Sequence, residues 1–122
     1  MRRSTGSVGT RPGFTLLELL AVVTVIGILA AIAIAKYGQT KRRAVISIMK
    51  GDLHNLTVLA EAYYSTNSTY DGFTPPSASR GVVIEFKGAG SGWTASARHP
   101  EAPDVTCSAG ITDGVNAEPI CQ

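Results

Sequence analysis

The chain has 122 residues, a formal net charge of +2 and an apolar fraction of 44%. That length has room for one compact domain and one further element, and no more. Three of the eleven basic side chains (Arg2, Arg3, Arg11) fall in the first 13 residues, and the remainder balances eight bases against nine acids. A nucleic-acid surface needs a strongly basic face, so no nucleic-acid partner is expected.

The apolar residues are concentrated early. From Phe14 to Ala35 run 22 residues whose only ionisable side chain is Glu18. As a helix this run would reach roughly 33 Å, enough to cross a hydrocarbon core. A secretory signal fits the basic start and the small residues Ala33-Ile34-Ala35, but the run is too long and Glu18 interrupts it. A plain single-pass anchor fits the length and leaves the acid unexplained, since an acid in a membrane span is costly and by default marks function. A cut between Gly13 and Phe14 accounts for it. The new amine is cationic, and Glu18 lies four residues further on, one helical turn along the same face. An amine and a carboxylate can then neutralise each other, and between neighbouring molecules the pair would fix register.

The basic leader followed by Gly13-Phe14-Thr15-Leu16-Leu17-Glu18-Leu19-Leu20 resembles the class III signal of type IV prepilins and the related pseudopilins. The resemblance spans Arg11 to about Ile34. It implies cleavage after Gly13 by a prepilin peptidase, N-methylation of Phe14 by the same enzyme, and pairing of Glu18 with the amine of an adjacent subunit. It also implies a bacterial inner-membrane protein, single-pass with a periplasmic C-terminal domain. That protein is polymerised with itself and other pilins on an inner-membrane assembly platform, into a cell-surface pilus or a periplasmic fibre. One position departs from the pattern. Many members carry proline in the slot held here by Ala35, and without it that cause of a helix kink is absent. Gly27 and Gly38 remain soft points.

Lys36, Lys41, Arg42, Arg43 and Lys50 follow the apolar run and read as charges at a membrane–water boundary. A simple positive-inside count places the C-terminal part in the cytoplasm. The cysteines argue for the opposite side, and a disulfide requires its compartment whereas flanking charge only biases orientation. Val45, Met49, Leu53, Leu56, Ala60 and Tyr63 are spaced 4, 4, 3, 4 and 3 apart, one face of a helix that should lie on a sheet. His54, on the same helix, reads as a surface or boundary residue.

Ser65 to Arg80 is a connector punctuated by Asp71-Gly72 and Pro75-Pro76. Its tripeptide Asn67-Ser68-Thr69 and the earlier Asn55-Leu56-Thr57 match the glycosylation pattern by chance. In the next segment Val82, Ile84 and Phe86 face one way and Val83, Glu85 and Lys87 the other. A flexible turn over Gly88–Gly92 leads to a second strand, Trp93 to His99, with Trp93, Ala95 and Ala97 inward. A third strand is expected at Asp104–Ala109, and the Asp113-Gly114 turn leads to a short fourth that Cys121 closes. Cys107 and Cys121 have 13 residues between them and pair as a disulfide.

No catalytic arrangement is present: there is no G-x-S-x-G, HExxH or phosphate-binding loop. Asp104, Asp113 and Glu118 fit no dedicated calcium loop, so neither metal nor other cofactor is expected. The reading is an α+β protein in four parts. A basic leader (1–13) precedes an apolar transmembrane and assembly helix (14–35), which continues as an amphipathic helix (36–65). The last part is a connector and an antiparallel sheet headgroup of three or four strands with a C-terminal disulfide loop (66–122). The function implied is that of a type IV pilin or pilin-like filament subunit, not an enzyme. The alternatives are a type II secretion pseudopilin and a minor pilin serving adhesion or DNA uptake.

Overall fold

The computed structural model describes residues 13–112 and 115–122. One long helix, α1 (Leu16–Asn67), is followed by four strands, β1 (Val83–Ala89), β2 (Gly92–Arg98), β3 (Cys107–Thr112) and β4 (Val115–Cys121). The chain divides into two units, residues 1–37 and 38–122, each described on its own.

In the first unit every described residue is exposed, from Gly13 to Tyr37. The helix is apolar on all sides here, so it has no face that can turn away from the rest. It passes through Gly27 and Ala35 unbroken.

In the second unit α1 is one-sided. Val45, Met49, Leu53, Leu56 and Ala60 are buried, while Lys50, His54 and Asn55 are exposed. The buried five form the spacing read from the sequence; Tyr63, the sixth, is half-buried. The helix ends as Ser68 takes φ 55° and its N–H donates to Tyr64 O at 2.7 Å, an αL cap on a residue other than glycine.

The strands form an antiparallel meander in the order β1-β2-β3-β4. Inward residues alternate along β2, with Trp93, Ala95 and Ala97 buried. Together with Val82, Val105, Cys107, Ala109 and Ile111 they meet the apolar face of the helix in one core. The expected turn at Gly88–Gly92 narrows to Gly90-Ser91, because Ala89 pairs with Gly92. Gly90 has φ 56° at the first central position, where a II′ hairpin places glycine.

The third strand differs from the expectation of Asp104–Ala109. Asp104 lies in the turn before it, where its carboxylate accepts from Arg42 of the helix, and β3 runs on to Thr112. Gly110 sits inside it because β2 passes so close: a Cβ there would lie 2.5 Å from Trp93 O. The fourth strand is a full seven residues, not a short pairing. Ser108 pairs with Ile120 and Gly110 with Ala117, so a bulge opens on the edge strand around Glu118 and Pro119, where a missing proline N–H costs no ladder bond. The Asp113-Gly114 turn lies outside the described residues.

Cys107 and Cys121 are joined by a disulfide. Their neighbours Thr106 and Gln122 exchange two backbone hydrogen bonds of 2.8 and 3.1 Å, which makes the cysteines a non-hydrogen-bonded pair, the closer of the two kinds. Polar contacts hold the loops to the helix. Asp52 accepts from the backbone N–H and hydroxyl of Ser79 at 2.9 and 2.8 Å, and Lys41 pairs with Glu101 at 2.7 Å.

Candidate functional site at the start of the helix

Gly13, Phe14 and Thr15 precede the first turn of α1 in open, non-helical backbone. Among the described residues a Cβ built on Gly13 would meet no atom within 4 Å, and Phe14 is 85% exposed, so on this side the peptide bond is open to another protein. The arginines of the expected leader lie outside the described residues.

Glu18 stands in the first helical turn. Its N–H donates to Thr15 Oγ1 at 3.2 Å, while the Thr15 N–H and hydroxyl donate to Glu18 Oε2 at 3.3 and 3.4 Å. This is a capping box: Thr15 caps the N-terminus and the acid three residues on reaches back. Two N–H groups that the helix cannot satisfy itself are thereby engaged. The acid therefore has a job within its own chain, beside any job between chains. The sequence signal for it is the T-x-x-E spacing of Thr15 and Glu18.

Behind the cap, the large side chains from Leu16 to Ile34 are uncovered, several of them more than half exposed. The helix is long and apolar enough to cross a membrane. Such a surface needs lipid or other apolar helices around it.

The remaining expected residues lie elsewhere. Cys107 and Cys121 are in the sheet, far along the chain from the helix start, and form the disulfide. Among the described residues no group of three or more His, Cys, Asp or Glu could hold a metal. Of the acids weighed for calcium, Asp104 is engaged by Arg42, Glu118 is exposed on β4, and Asp113 lies outside the described residues.

Residues 10–34 match the family model of the prokaryotic N-terminal methylation motif. The chain carries that motif across the Gly13-Phe14 bond. Over 61 residues, half of the chain, it is 41% identical to the type IV major pilin protein PilA of Myxococcus xanthus. Over 75 residues, 62% of the chain, it is 31% identical to the type II secretion system core protein G of Pseudomonas aeruginosa. The chain spans 28% and 49% of the lengths of these two curated relatives. No solved structure matches it. The matched motif thus begins before the cap and ends at Ile34, within the uncovered apolar half of α1.

Proposed function

We propose that this chain is a structural subunit of a type IV pilus or pilus-like filament. It is made as a membrane-anchored prepilin, cleaved after Gly13 and N-methylated at Phe14 by a prepilin peptidase. It is then polymerised through the apolar half of α1 with copies of itself and other pilins, on a membrane assembly platform. The observation that carries this reading is the methylation motif placed on an open Gly13-Phe14 bond before an uncovered apolar helix. In the membrane, lipid covers that helix; in a filament, other copies do. Packing of these helices drives assembly, and Glu18 pairs with the Phe14 amine of a neighbour. The charged pair sets alignment more than it adds stability.

A second reading, the pseudopilin of a type II secretion system, has its own support in the longer match to the core protein G. The Cys107–Cys121 loop leans to the pilin reading. Either way the sheet unit faces an oxidising compartment, where Cys107–Cys121 persists.

Intact mass and N-terminal sequencing of the protein from its native membrane fraction test the first step. A chain beginning at methylated Phe14 is expected. A chain beginning at Lys36 would make it a secreted domain, and an intact Met1 would make it an ordinary anchor; both overturn the proposal.

A further inference from the structure

The second unit carries an open cleft of about 1020 Å³ between the last turns of α1, the connector and the β1–β2 hairpin. Its walls are aromatic. Tyr64 stacks on Tyr70 at 4.6 Å, Phe86 on Trp93 at 5.7 Å, and Phe73 meets Phe86 edge-on at 5.1 Å. Tyr64, Phe73 and Phe86 are half-buried, so each keeps ring surface open to solvent.

The polar end of the cleft is unbalanced. Glu61 accepts from the Tyr70 hydroxyl at 2.9 Å. Burial first, then the bond to Glu61 and its charge, push the Tyr70 hydroxyl up to about 12, so it remains a donor at neutral pH. The Trp93 indole N–H acts on the same hydroxyl in the opposite sense, yet reaches no hydrogen-bond geometry. Trp93 is 2% exposed, and among the described residues its nitrogen is buried without a hydrogen-bond partner, which is costly. The cleft therefore has an acceptor with spare lone pairs and, behind its wall, a donor with no partner among the described residues.

Charge narrows the occupant. Glu61 and Lys87 line the same cleft, so neither a cation nor an anion meets a field of one sign. A hydroxyl donates and accepts at once, and an apolar ring face suits exposed aromatic walls. We propose that this cleft binds a neutral saccharide unit, with its ring face on Tyr64, Phe73 and Phe86 and its hydroxyls bridging Glu61 and the Trp93 nitrogen. Reaching that nitrogen, which is closed to water in the free chain, takes a small shift of a wall ring, so the binding is weak. The proposal goes beyond the filament reading and needs neither cleavage nor assembly, so either can fail without the other.

Trp93 is the one tryptophan of the chain, and its emission reports on the site directly. The full chain is held in a polyoxyethylene detergent, which carries no sugar headgroup, and titrated separately with N,N′-diacetylchitobiose, cellobiose, lactose and choline chloride. At least one disaccharide is expected to give a saturable change and to shift the indole N–H proton resonance of the unsubstituted protein. Glu61→Gln should weaken it by about tenfold, the scale of one lost hydrogen bond to a charged group, and Phe73→Ala should weaken it by removing one apolar wall. The resonance measurement stands if either variant fails to fold. Silence of both readouts to every disaccharide overturns the proposal. So does saturation by choline alone, or a sugar response that both variants leave unchanged.

Discussion

The two parts of α1 have the same backbone and opposite fates. From Leu16 to Tyr37 its apolar side chains are uncovered, whereas Val45, Met49, Leu53, Leu56 and Ala60 are closed over by the sheet. The difference lies in pattern. A helix that is apolar all round cannot be satisfied by one sheet, and it needs lipid or other helices on every side. A helix with one apolar stripe is satisfied by one sheet and leaves its other faces to water. Burial stabilises the headgroup in the second part, and in the first it awaits partners outside the chain.

The largest effect should come from the first part and leave the headgroup untouched. Glu18→Gln is expected to be processed at Gly13 and to reduce filament yield by an order of magnitude or more, because the amide keeps the size of the acid and loses its charge. Quantitative immunoblotting of sheared filaments against cell-associated subunit checks this. Filaments at the normal level would sink the intersubunit pairing.

Core substitutions sharpen the contrast. Leu53→Ala removes a fully buried side chain and should cost about 2–5 kcal/mol. Val25→Ala, on a side chain 56% exposed, should move headgroup stability by less than about 0.5 kcal/mol. Denaturant titration in detergent, followed by Trp93 emission, measures both. Equal effects would mean that the two parts are not energetically distinct. Cys107→Ser should lower stability by about 2–5 kcal/mol, since it frees the closed loop in the unfolded chain.

Alkaline titration probes the aromatic cluster. The Tyr70 hydroxyl is raised from 10.0 to about 12 in the folded chain, so its contribution is complete below the unfolded value and is lost as pH rises through the folded one. Melting temperature should therefore fall between pH 10 and about 12, and less steeply in Tyr70→Phe. Parallel curves for the two proteins would remove Tyr70 as the cause.

What the sequence disclosed follows the physics of each region. The apolar face of α1 and the alternation of β1 and β2 were legible because burial imposes a period, 3.6 or 2, that local sequence must obey. Trp93 was placed in the core by the same alternation. The third strand was drawn too early because Val105, buried, resembles a strand residue while Asp104 is held by an ion pair from distant Arg42. The reach of β4 was hidden by Pro119, whose tolerance depends on an edge position and a bulge that no local pattern reveals. The cleft was invisible for a related reason. Tyr70 and Phe73 belong to the connector, and only the folded chain brings them onto Tyr64, Phe86 and Trp93. At the helix start, the motif draws attention to Glu18 but not to Thr15, which holds it.

That last contact carries the smallest prediction. Thr15→Ala removes the cap and should weaken the first turn by about 1 kcal/mol, within the range for lost N-caps. Thr15→Ser should restore it, because the hydroxyl and its reach are kept. Hydrogen exchange at the amides of residues 16–18 reads the turn itself, with faster exchange expected in the alanine variant. If capping and intersubunit pairing are separate duties of Glu18, Thr15→Ala should speed that exchange while lowering filament yield far less than Glu18→Gln. Equal losses of filament from the two variants would mean that the cap is what assembly requires, and that the charge on Glu18 is incidental to it.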